Sequence, residues 1–125
     1  SMPSNATSFI SPPHQTSVDV VIGDRYEASC PAEITTFVED LLRAQGLRVV
    51  RNKPYAGGFI TQNYGSPLLG RNALQIEINR GLYMDEQHFE KTADFLPLQA
   101  ALAGTIETLL ETLVEFANPQ KQAAE

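Results

Sequence analysis

The hydrophobic pattern changes period along the chain, and each change marks an element. Val18 to Ile22 is β-branched and almost wholly apolar, the signature of a short strand covered on both faces, and Gly23, Asp24 and Arg25 end it. Ile34, Phe37, Val38, Leu41 and Leu42 then fall on one stripe of an amphipathic helix, with Pro31 at its first position, Glu33 at its positive end and Gly46 as its stop. Leu47 to Arg51 predicts a second strand, closed by Asn52-Lys53-Pro54. Strand, helix and strand in that order imply a right-handed crossover and a parallel pair. A short helical turn is expected from Gly57-Gly58 to Tyr64, then a loop from Gly65 to Gly70. Leu98, Leu102, Ile106, Leu109, Leu113 and Phe116 predict a long helix lying as a lid on the core and ending at Asn118-Pro119.

The third strand, Leu74 to Asn79, has a different pattern. Side chains alternate along a strand, so Leu74, Ile76 and Ile78 share one face, and Gln75, Glu77 and Asn79 share the other. A polar face inside an otherwise covered sheet points to a cleft or an edge. Ligands of open α/β sheets bind beyond the carboxyl ends of the strands. With parallel strands those ends bring together Asp24 and Arg25, then Asn52, Lys53 and Tyr55, then Asn79 and Arg80, with Glu77 below. That set offers a carboxylate able to act as a base beside donors suited to an anion, a constellation for a hydrolase or an anion-binding site. The plainer alternative makes each a solvated loop residue and Glu77 the partner of Arg71 or Arg80 in a buried ion pair.

Composition narrows the classes. A chain of 125 residues, 42% hydrophobic and 19% charged, suits one globular core. Its net charge of -6 disfavours nucleic acid and anionic membrane as partners. No apolar run reaches the roughly 18 residues of a membrane span, and no signal-peptide pattern opens the chain. The single Cys30 allows no internal disulfide and fits a reducing, cytoplasmic setting; ahead of a helix, it reads as a structural thiol. His14 and His88 show no zinc-ligand spacing and read as surface residues. Residues 1–17 read as a loop lead-in, 18–118 as the body of one domain, and 119–125 as a fraying tail.

Several segments, in order, resemble the N-formylglutamate amidohydrolase family. They are Ser1-Met2-Pro3-Ser4, Gly23-Asp24-Arg25 with Ser29-Cys30, Asn52-Lys53-Pro54-Tyr55 with Gly57-Gly58, Gly70-Arg71, and above all Leu74-Gln75-Ile76-Glu77-Ile78-Asn79-Arg80 running into Leu82-Tyr83-Met84-Asp85-Glu86. Ala28 and Asn72 depart from the family pattern, where a hydroxyl residue and a histidine are common. The resemblance implies a layered α/β sheet with helices on both faces, similar to the zinc carboxypeptidases and their phosphorylase/hydrolase-like fold. This chain would be the C-terminal part of that single domain. It implies zinc-dependent hydrolysis of N-formyl-L-glutamate, a step of histidine degradation, with a small N-acyl amino acid as substrate. By strand position Glu77 corresponds to the general base, and Arg71, Arg80, Tyr55, Arg25 and Asn79 are candidates for holding the substrate.

In the family the Ser-Met-Pro-Ser stretch follows a histidine that resembles a metal ligand, so the zinc ligands are expected upstream of Ser1. On that expectation this chain alone is inactive. Two competing readings are a non-catalytic module that binds a dicarboxylate such as glutamate through Arg25, Arg71 and Arg80, and an interaction domain that self-associates through an apolar patch.

Overall fold

The computed structural model describes residues 1–3 and 17–117. Three strands form the central sheet in the order β2 (Val49–Arg51), β1 (Val20–Gly23), β3 (Gln75–Ile78). The β1/β2 pair is parallel, with Val20 opposite Val49, as the crossover predicts. The β1/β3 pair is antiparallel, with Gly23 opposite Gln75 and Val20 opposite Ile78. This corrects the expectation that all strand ends meet at one edge. After β2 the chain stays at the carboxyl edge through a short helix α2 (Phe59–Tyr64) and a turn over Pro67–Leu69, so β3 enters there and runs back down.

The first residues are paired. The Met2 N–H donates to Ile78 O at 2.8 Å, the Arg80 N–H donates to Met2 O at 2.8 Å, and the Met2 side chain is buried. Met2 thus sits alongside Asn79 on the free edge of β3, which the reading of residues 1–17 as a lead-in does not capture for Ser1–Pro3. The remainder of that segment except Ser17, and the 119–125 tail, lie outside the described residues.

Both long helices cover the same side of the sheet. Helix α1 (Ala32–Ala44) contributes Val38 and Leu42, and α3 (Phe95–Ala117) contributes Leu102 and Leu109, to a core with Val20, Ile22 and Val49. Helices on both faces, as expected from the sequence, are therefore not found among the described residues; loops and the short α2 lie beyond the carboxyl edge. Each fully buried Leu, Ile or Val in this core contributes about 1.5–3 kcal/mol. Helix α1 begins one residue after Pro31 and ends with the Gly46 N–H on Arg43 O and the Leu47 N–H on Leu42 O, a paired C-terminal cap. Its Glu39 is buried between Arg51 of β2 and Arg43, tying the helix to the sheet. Asp19 likewise takes both arms of Arg48, at 2.8 and 2.6 Å, just ahead of β1.

The long helix is rotated from its predicted stripe. Thr105, 4% exposed, lies on the inward side with its hydroxyl on Ala101 O, whereas Ile106 is 55% exposed. A small hydroxyl residue that satisfies itself on its own helix can face a close neighbour, which hydrophobicity alone does not reveal. Ahead of α3 a two-stranded hairpin, β4 (Met84–Asp85) and β5 (Glu90–Lys91), is too polar to have been predicted as strand. It is fastened by Lys91 over the Phe95 ring, 4.3 Å from its centre, and by the edge of Tyr83 against Phe95.

Candidate active site

The site grows from the carboxyl end of β1. A Cβ added at Gly23 would lie 2.7 Å from the backbone of Ala56, so only glycine lets the 54–58 loop cross flat over the strand end. The Arg25 N–H donates to Ala56 O at 2.8 Å and closes the crossing.

Asp24 and Asn52 hold this loop pair from beneath. Asn52 Oδ1 accepts the Asp24 N–H at 3.1 Å, Asn52 Nδ2 donates to Asp24 Oδ1 at 2.8 Å, and the Glu27 N–H reaches the same carboxylate oxygen at 3.2 Å. Burial alone would push the Asp24 carboxyl up. The hydrogen bonds from Asn52, the Glu27 amide and Thr35, with the charge of Arg51, outweigh it and leave Asp24 below the usual carboxylate range. Arg25, Tyr26 and Glu27 take left-handed backbone angles, φ +53°, +56° and +70°, and so does Asn52 at +61°. Such angles cost roughly 1–2 kcal/mol per residue, and they persist here because the Asp24–Asn52 pair over-determines the turn. The result places Arg25 against the 57–58 loop: a Cβ on Gly57 would come within 3.0 Å of Arg25 Cγ and 2.4 Å of Thr61 Oγ1.

From that loop a line of hydrogen bonds runs along the polar side of β3. The Gly58 N–H donates to Gln75 Oε1 at 2.7 Å, Gln75 Nε2 donates to Glu77 Oε1 at 3.0 Å, and Glu77 Oε2 lies 2.9 Å from the α-ammonium of Ser1. The Glu77 side chain is 22% exposed. It pairs with neither Arg71 nor Arg80, the two partners that a purely structural ion pair would have used. An uncharged amide nitrogen at Ser1 would still offer an N–H to Glu77 but no ion pair.

The antiparallel course of β3 divides the predicted residues. Arg25, Tyr55 and Arg71 belong to the Gly23 end, with Gln75 beside them, Glu77 to the middle, and Asn79 and Arg80 to the opposite end. Among the described residues Arg25 and Arg71 form no ion pair, so both cations are available to an anion. Asn79 is buried, and its side chain is engaged at both ends: Nδ2 donates to Val18 O at 3.1 Å and Oδ1 accepts the Gly81 N–H at 3.0 Å. Arg80 Nε is buried without a hydrogen-bond partner among the described residues.

Other groups are set apart. Burial pushes the Cys30 thiol up, outweighing a hydrogen bond from Thr35 that lowers it, and Asp24's charge adds a smaller upward push, so the thiol is held protonated and unreactive. His88 is exposed and hydrogen-bonds Asp85 at 2.8 Å, which lowers the Asp85 carboxyl; His14 lies outside the described residues. Among the described residues no group of three or more His, Cys, Asp or Glu side chains could hold a metal ion. Sequence reasoning places Asp24 and Asn52 at the strand ends and Gln75 on the polar face but gives none of the three a role in the site. Their signal was an Asp directly after a strand, an Asn at the corresponding place after the next one, and a Gln sharing the face of Glu77.

The fold and site together define a mixed α/β domain whose sheet carries a carboxylate on its helix-free face, beside loops that present arginines. More particularly, the chain belongs to the N-formylglutamate amidohydrolase family, whose model matches residues 1–84. It is 36% identical over 100 residues to the N-formylglutamate deformylase of Pseudomonas aeruginosa, an alignment covering 78% of this chain and 36% of that protein. It is also similar to the crystal structure of N-formylglutamate amidohydrolase from Ralstonia eutropha JMP134, with 38% identity and a TM-score of 0.78, covering 96% of this chain and 42% of the other. The chain thus spans about two fifths of the length of these relatives. No helix among the described residues is long and apolar enough to cross a membrane.

Proposed function

We propose that this chain supplies the acid–base group and the substrate-anchoring loops for hydrolysis of N-formyl-L-glutamate to formate and L-glutamate. The observation that carries the reading is the position of Glu77: half-buried on the sheet face turned away from α1 and α3, and joined through Gln75 to the loop that contacts Arg25. Family membership and the activity named for both relatives support it.

In this reading Glu77 accepts a proton as water attacks the formyl carbon. The C–N bond then breaks, and Glu77 returns the proton to the departing nitrogen, leaving formate and the free amine of glutamate. The substrate is a dianion, and a chain of net charge -6 attracts it only where cations are concentrated; Arg25 and Arg71 provide them at the Gly23 end, with the Tyr55 hydroxyl as a further donor. Asn79, fully engaged within the fold, supports the backbone beside Met2 in this scheme, and Arg80 lies at the far end of β3.

Zinc is part of the expected chemistry as a Lewis acid for the carbonyl. The described residues do not fit it, so no step is assigned to zinc here, and its ligands are proposed to lie outside them. The test is formate release by a chain of the relatives' full length that contains these residues, compared with its Glu77→Gln variant. Loss of turnover with unchanged folding supports the reading; undiminished turnover removes Glu77 from it. Lack of activity in this chain alone, with or without added zinc, is the expected result.

A further inference from the structure

We infer that Gln75 is a positioning residue that anchors the proposed base Glu77 through Oε1, linking the carboxylate to the loop that packs on Arg25. The inference rests on the proposed role of Glu77 and deepens it.

The argument is one of donors and acceptors. The Gly58 N–H can only donate, so the end of the Gln75 amide facing it, at 2.7 Å, must be the oxygen. The NH2 end is thereby turned to Glu77 Oε1, at 3.0 Å, which an ionised carboxylate can only accept. The amide therefore has one consistent orientation, and reversing it would break both bonds. One carboxylate oxygen is thus held from the strand, and the other, Oε2, faces the amine at 2.9 Å. At the other end of the line, Gly58 belongs to the loop whose Ala56 carbonyl accepts the Arg25 N–H at 2.8 Å, so the backbone of Arg25 and the loop are tied together. A displacement of the 54–58 loop would thereby reach the Gly58 N–H, Gln75 and Glu77 together.

Two substitutions separate the ends of the amide. Gln75→Met keeps the length and removes both bonds. Gln75→Glu keeps an acceptor for Gly58 and places a like charge on Glu77. The first readout is the Gly58 amide resonance of the 125-residue chain, followed by NMR through about pH 3 to 7, where carboxylates titrate. In the wild type it should shift with a carboxylate titration, and that shift should vanish in Gln75→Met and in Glu77→Gln. A Gly58 resonance that ignores pH, or one that titrates equally in Gln75→Met, overturns the link.

The second readout is the pH profile of formate release by the full-length protein. Gln75→Glu should move the acidic limb of kcat/KM upward by about one pH unit, because a neighbouring negative charge disfavours the ionised base. A purely structural Gln75 would lower the rate without moving the limb. An unmoved limb in a protein whose Glu77→Gln variant is inactive rejects the role of Gln75 alone, whereas an active Glu77→Gln variant rejects the base assignment on which it rests.

Discussion

The two faces of the β1/β3 pair are built from the same strands and do opposite work. On one, Val20 and Ile22 lie under α1 and α3 in a dry core, and Leu74 packs against its margin. On the other, Val21 and Gly23 stand opposite Glu77 and Gln75, and polar bonds run from the Gly58 loop to Ser1. The difference shows how a period of two separates stability from chemistry: residues one position apart can be fully committed to packing or left to a ligand. The strained loop at residues 25–27 sits at the end of this pair and is held by the buried Asp24–Asn52 hydrogen bonds.

Breaking the polar face at its centre should have the largest effect on function and little on folding. Glu77→Gln in the full-length protein should lower turnover by about 10²–10⁴-fold, the usual contribution of a general acid–base group, with an unchanged denaturation midpoint. Leu42→Ala breaks the opposite face, and should cost about 2–5 kcal/mol in chemical denaturation while leaving Glu77's surroundings intact in any folded fraction. Gly23→Ala strikes the junction of the two. Its new methyl would meet backbone at 2.7 Å, so about 1–3 kcal/mol of stability should be lost together with displacement of the 54–58 loop, seen as shifts in the amide resonances of Arg25 and Gly58.

A smaller effect sharpens the role of the buried pair. Asp24 has a lowered pKa in the folded state, so its contribution is complete above the carboxyl's ordinary value of 3.8 and is lost as pH falls through the still lower folded value. Stability measured from pH 5 to 2.5 should therefore decline less steeply in Asp24→Asn than in the wild type, and equal slopes would count against the linkage. The smallest effect is expected from acetylating Ser1. Removing a partly exposed ion pair should change stability by no more than about 1 kcal/mol, read as a near-unchanged melting curve.

The family resemblance rests on segments that tertiary contacts explain. Gly23 is where a backbone crosses, Asn52 is where the strained turn is held, and Gln75 and Glu77 form one hydrogen-bonded line. The conspicuous polar alternation of β3 makes Glu77 legible in the sequence alone. Asp24 and Asn52 were visible only as strand-end residues, because nothing local tells an Asp in solvent from one buried against an Asn 28 positions away. Arg25 and Tyr55 were correctly placed beside β1's carboxyl end, but Asn79 and Arg80 were placed there by assuming a parallel third strand. Their true position depends on where residues 52–74 run, and a loop's path is not encoded by hydrophobic period.

By itself, then, the order of residues determined the existence of β1, α1, β2 and α3, the parallel pairing of the first two strands, and the polar side of the third. Those follow from local periodicity and from the handedness of a short crossover, which depend on neighbours in the chain. Only the tertiary structure decided that β3 runs antiparallel, that Thr105 rather than Ile106 faces inward, that both long helices share a face, and that Glu77 answers to Gln75 and Ser1 instead of an arginine. Each of those is a choice among distant partners of similar local chemistry, made by which arrangement buries the apolar face while leaving most buried polar groups a partner.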